Sequence, residues 1–114
     1  MLKFYIEKLF AERGTVMNDK LKTKAVDNLF DAVLKLKTRD ECYDFFEDLC
    51  TISEILSMAQ RLEVAHLLSD GMKYQDIAKQ TGASTATVSR VNRSLKYGND
   101  GYELVIRRLK QEKN

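Results

Sequence analysis

The sequence predicts an all-α protein, and three observations carry that expectation. There is no proline in 114 residues and there are only five glycines, so almost nothing interrupts a helix except by placement. Apolar side chains recur at threes and fours along most of the chain. Between Lys73 and Lys96, KYQDIAKQTGASTATVSRVNRSLK, two short helical patterns meet at a Gly-Ala-Ser turn. A chain of this length suggests one domain, with about two-thirds of the unfolded surface buried on folding.

Residues 1–16 admit two readings. Leu2, Tyr5, Ile6, Leu9 and Phe10 have the spacing of an amphipathic helix that docks on the body. Alternatively, Glu12-Arg13-Gly14 is encodable by a purine-rich run resembling a ribosome-binding site, a few nucleotides ahead of a Met17 codon. The native chain would then begin at Met17 or Asn18, and 17–114 would be a single helical domain.

From Asn18 or Asp19 a helix is expected to about Leu36, with Leu21, Ala25, Val26, Leu29, Ala32, Val33 and Leu36 on one stripe. Phe30 and Leu34 widen that stripe, which suggests burial on two sides, inside a domain and against a second subunit. Thr38-Arg39-Asp40-Glu41 is a capping-box pattern opening a helix with Cys42, Tyr43, Phe45, Phe46 and Leu49, an aromatic cluster of core type. Thr51-Ile52-Ser53-Glu54 offers another cap. It leads a helix through Leu68 that would bury Ile52, Ile55, Ala59, Leu62, Ala65 and Leu68, with Gly71 beyond its end.

The next pair reads as a helix-turn-helix over about 74–97. Ile77 and Ala78 face inward from Tyr74–Thr81, and Ala78 is small where a second helix crosses closely. Gly82 suits a left-handed helix end, Ala83 sits inside the turn, and Ser84 is a good N-cap. Val88, Val91 and Leu95 form the inner stripe of the second helix. Its other face carries Thr85, Ala86, Ser89, Arg90 and Arg93, flanked by Asn92 and Lys96. After a Tyr97–Gly101 turn, a last helix shows Tyr102, Val105, Ile106 and Leu109, ahead of a charged tail.

Charge is concentrated on this pair. Residues 72–96 hold Lys73, Lys79, Arg90, Arg93 and Lys96 against one acid, Asp76, whereas residues 1–71 are net acidic by three charges. The modest +2 of the whole chain therefore hides a basic end on an acidic body, the footprint of a phosphate-contacting surface. Small hydroxyls and a methyl let a helix come close to a major groove, and arginines reach its base edges and phosphates. Ser84, Thr85, Ala86, Ser89, Arg90 and Arg93, with Lys73, Lys79 and Lys96, are the candidate DNA contacts.

The run TGASTATVSRVNRSLK resembles the recognition region of the Trp repressor superfamily, where a Gly-Ala turn precedes Ala-Thr-[IV]-[ST]-Arg and an Asn-x-Ser-Leu-Lys ending. The upstream SEILSMAQRLEVAHLLSDGMKYQDIA is similar in length and landmarks, so the likeness spans roughly residues 26–110 and is nearest the YerC/YecD branch. It implies an interlocked homodimer and a transcriptional regulator, a repressor in kind, on a palindromic duplex. Trp repressor is itself an example of helix-turn-helix docking with half-sites about 34 Å apart. In tryptophan-responsive members two arginines and a serine hold the ligand. Arg90 and Ser94 match the first arginine and the serine. The register that aligns Leu67-Leu68 puts Gln60 at the second arginine, and Arg61 aligns only if one residue is dropped. The resemblance thus admits a small-molecule corepressor but favours a different one, or constitutive binding, over tryptophan.

Other chemistries find little support. Cys42 and Cys50 lie too far apart on one helix for a disulfide, and one histidine, His66, leaves zinc without ligands. The two thiols read as small buried hydrophobes in a reducing cytoplasm. No apolar run approaches a membrane span, and no nucleophile–base pair, phosphate loop or carboxylate pair suggests an enzyme. The rival from another class is a helical adaptor that binds protein through the 84–96 face. That face lacks the large apolar anchors such interfaces use.

Overall fold

The computed structural model describes residues 19–112, and all regular structure in them is helical. The expectations for residues 1–16, and for a start at Met17, lie outside the described residues. A 3-10 turn at Asp19–Leu21 precedes α1 (Lys24–Val33), α2 (Arg39–Leu49), α3 (Ile52–Ser69), α4 (Tyr74–Thr81), α5 (Thr85–Tyr97) and α6 (Gly101–Glu112). These fall into two compact units, one ending at Leu49 and one starting at Cys50.

In the first unit, the helix expected from residue 18 or 19 to about 36 is shorter at both ends. Thr23 is the reason at the front: extended at φ −122°, it accepts the Val26 N–H on Oγ1 at 3.2 Å and restarts the helix. At the back, Lys35 and Leu36 donate to Ala32 and Val33, three residues back, which tightens the last turn and stops propagation. The Thr38 cap is present, its hydroxyl accepting the Glu41 N–H at 3.1 Å. The Glu41 carboxylate reaches one residue further than a capping box requires, to the Lys37 N–H at 2.8 Å.

The aromatic cluster of α2 is not a buried core. Phe45 and Phe46 pack edge to face with centroids 5.6 Å apart, both half-buried, and Tyr43 is exposed. Neither α1 nor α2 contains a buried residue, and Leu21, Leu29, Phe30 and Leu34 are open to solvent. The two cysteines are free thiols and half-buried, not buried as expected.

The core lies in the second unit. Val64 and Ala65 of α3, Ile77 of α4, Ala83 of the turn, Val88 and Val91 of α5, and Ile106 of α6 form one buried cluster, with Leu67, Leu68, Met72, Leu95 and Tyr102 packed around it. A full capping box starts α3: Thr51 Oγ1 accepts the Glu54 N–H at 3.1 Å and Glu54 Oε1 accepts the Thr51 N–H at 2.9 Å. Gly71, at φ +84°, ends it as a Schellman motif, donating to Leu68 while Met72 donates to Leu67.

The stripe expected to be buried along α3 holds only in the last two turns. Ile52 is 75% exposed and Ala59 is exposed too, Ile55, Leu62 and Leu68 are half-buried, and Ala65 is buried as expected. Periodicity identified the apolar face but not its cover, because α4, α5 and α6 pack on the C-terminal part of α3, where Val64 and Ala65 vanish from solvent. On α6, likewise, Ile106 is buried, but Val105 and Leu109 stay exposed.

Candidate nucleic-acid interface

The helix-turn-helix is built as its sequence requires. Gly82 ends α4 at φ +74°, a left-handed conformation that costs glycine nothing, and donates to the Ala78 carbonyl. Ser84 caps α5: its Oγ accepts the Thr87 N–H at 3.1 Å and its hydroxyl donates to Thr87 Oγ1 at 3.0 Å. This candidate DNA contact thus spends its one proton inside the helix start and keeps only acceptor capacity outward.

Val88 and Val91 are buried and Leu95 half-buried, so α5 lies on Ile77 and α3 by one stripe. The opposite face is open. Thr85, Ala86, Ser89, Arg90, Arg93 and Lys96 are all exposed. At 3.6 residues per turn, Thr85, Ser89, Arg93 and Lys96 fall within an arc of about 80°, with Ala86 about 20° and Arg90 about 60° beyond its Arg93 edge. Lys73, which caps α4 without a side-chain hydrogen bond, and Lys79, in the last turn of α4, are exposed as well. Among the described residues no ion pair neutralises any of these cations; Lys110 pairs instead with Asp70 at 3.2 Å, both exposed. Such a surface offers positive charge and short donors at a helix that can approach closely, which matches groove recognition.

The C-terminal half of α5 borders a shallow depression of about 320 Å³ lined by Arg90, Arg93, Ser94, Tyr97 and Gly98. It brings together Arg90 and Ser94 of the expected effector set. Arg61, half-buried on α3, is not part of its lining. Gln60, which the sequence register puts in the place of a second arginine, is engaged elsewhere: its Nε2 donates to the Thr81 carbonyl at 3.2 Å. Sequence reasoning missed this contact, since 21 positions separate the partners and nothing local marks either one. It also passed over Tyr97, 79% exposed beside the arginines, although an aromatic ending a basic helix was a visible signal.

Among the described residues no cluster of three His, Cys, Asp or Glu side chains could hold a metal, and no helix is long and apolar enough to cross a membrane. Fold and face together define a helix-turn-helix protein of the DNA-binding class. The family model for Trp repressor protein matches residues 24–110, and the chain belongs to that family, whose members are non-enzymatic DNA-binding regulators. It is 58% identical over 93 residues to the uncharacterised protein YerC of Bacillus subtilis (strain 168), covering 82% of this chain and 89% of that one. Among solved structures it is similar to a TrpR-like protein from Eubacterium eligens ATCC 27750, at 66% identity and TM-score 0.80, over 82% of this chain and 96% of that one. A candidate Trp repressor from Staphylococcus aureus matches at 52% identity and TM-score 0.79, over 81% and 92% of the two chains.

Proposed function

We propose that the protein is a sequence-specific transcriptional regulator, a repressor in action, that docks α5 of each of two subunits in the major grooves of a palindromic operator. The observation that carries this reading is the division of α5 into two faces. Val88 and Val91 are sealed against the scaffold, while Thr85, Ser89, Arg93 and Lys96 stand together in solvent within a net basic segment. One such helix reads only a few base pairs; two in a dimer read two half-sites one helical turn apart.

A second copy is also what the apolar surface supports. Leu29, Phe30 and Leu34 in the first unit, and Ile52 and Leu56 in the second, remain uncovered by the chain itself. The depression beside Arg90 and Ser94 is the place for a small-molecule effector, and its lining supplies one arginine pair from α5 instead of one arginine from each of two helices. That difference supports a corepressor other than tryptophan, or none.

Selection of bound duplexes from a random pool tests the reading. The expected result is a palindrome with half-site centres about 34 Å apart and an affinity that falls steeply with salt. An unrelated pool, with no salt-dependent duplex affinity, refutes it. Titration of free tryptophan against the selected duplex is expected to leave affinity unchanged.

A further inference from the structure

The turn between α4 and α5 is held by a small hydrogen-bond network centred on Thr81. Its hydroxyl donates to the Ile77 carbonyl at 2.7 Å and accepts the Ala83 N–H at 3.1 Å. Its own carbonyl, at the end of α4, has no acceptor role within that helix. It takes its hydrogen from Gln60 Nε2 of α3, at 3.2 Å, in a partly buried setting. Gln60 sits one turn before Val64, on the same face of α3 as the core.

Apolar packing between α3, α4 and α5 is non-directional, so it resists separation of the helices better than rotation between them. The lever matters. Lys96 lies 11 residues beyond Thr85, about 16 Å along the axis at 1.5 Å per residue. A rotation of about 10° at the turn would then move it by roughly 3 Å, whereas a hydrogen bond to a base edge tolerates only a few tenths of an ångström. We propose that Gln60 is the positioning residue of the recognition helix: through the Thr81 carbonyl it fixes the aim of α5, and thereby sequence specificity, without touching DNA. This rests on the DNA-binding reading above.

The test compares affinity for the selected operator with affinity for an unrelated duplex of equal length and salt. Gln60→Met keeps the shape and removes the donor. Its operator affinity is expected to fall about tenfold while the unrelated duplex, held by the unchanged surface cations, binds within twofold of wild type. Gln60→Arg restores a donor and adds a charge; its operator-to-unrelated ratio is expected to return to within twofold of wild type. A loss shared equally by both duplexes in Gln60→Met means a general loss of folded protein and overturns the proposal, as does an unchanged ratio. Amide exchange on the wild-type protein gives a second measurement that needs no variant. The Gly82 and Ala83 N–H groups are expected to be protected within about tenfold of the Val64 and Ala65 amides; free exchange in the turn would overturn the proposal. Absence of salt-dependent binding by wild type to any duplex would instead refute the DNA-binding reading, and is told apart by that result.

Discussion

Gly98 ends the recognition helix at a point where the backbone leaves no room for a side chain. Its N–H donates to the Ser94 carbonyl at 2.9 Å, and a β-carbon built on it would stand 2.4 Å from that same oxygen. Real contacts of this kind essentially never fall under 3.0 Å, so in Gly98→Ala the two must part by at least 0.6 Å. The oxygen is backbone and the β-carbon is fixed to its own backbone, so neither can swing aside. Relief therefore comes from opening the last turn, which gives up a hydrogen bond worth about 0.5–1.5 kcal/mol and frays Ser94 and Tyr97 beside the depression. With residual strain the expected cost is about 1–3 kcal/mol, a fall in melting temperature of about 4 °C or more for each kcal/mol. Thermal unfolding followed by circular dichroism, at one protein concentration for all samples, measures it. Gly82→Ala is the companion. There nothing lies within 4 Å and only the φ of +74° opposes a side chain, at about 1–2 kcal/mol. A Gly98→Ala protein that melts within a degree of wild type would refute the close approach and the strain reasoned from it.

Further outcomes follow from other parts of the structure. Arg93→Ala should weaken operator binding: a guanine contact predicts a loss of about 1–3 kcal/mol at one base pair, a phosphate contact a uniform loss with the salt slope reduced by about one, and no change would remove Arg93 from the interface. Ile77→Ala, which removes three buried carbons from a fully buried side chain, should cost about 2–5 kcal/mol in chemical denaturation and leave Lys73 and Arg93 as exposed as before. Ile52→Ala separates two states of the apolar surface. If Ile52 stays in water the cost should be within about 0.5 kcal/mol, whereas burial against a second copy predicts a larger, concentration-dependent loss in sedimentation and melting. The backbone N–H of Thr51, and then its hydroxyl, hold the Glu54 carboxyl below its ordinary range. A depressed acid stabilises the fold above its unfolded pKa of about 4.3 and loses that contribution as pH falls through the folded value. The stability difference between wild type and Glu54→Gln should accordingly be flat above about pH 5 and shrink in more acidic solution.

Local chemistry was enough to read the six α-helices of the described residues, the caps at Thr51 and Ser84, the stops at Gly71 and Gly82, and the two faces of α5. Each depends on residues within about one helical turn, a capping side chain or a glycine free to turn left-handed, so the sequence alone determines it. The basic segment and its short hydroxyls were legible for the same reason: a helix of known pitch places Thr85, Ser89 and Arg93 together wherever it is packed. The late start of α1 was harder, because Thr23 offers its own hydroxyl against a continuing apolar period, and the pattern does not say which wins.

What only the tertiary structure decided was coverage and long-range contact. An apolar stripe predicts that something covers it, not what, so Val64 is sealed while Ile52, on the same helix, is left open. The bond from Gln60 to Thr81 exists because two helices happen to cross there, and no periodicity joins residues 21 apart. The sequence determined which groups face outward on the reading helix. Its placement on α3 and α4 was left to packing and to contacts across the fold, such as the bond from Gln60 to Thr81.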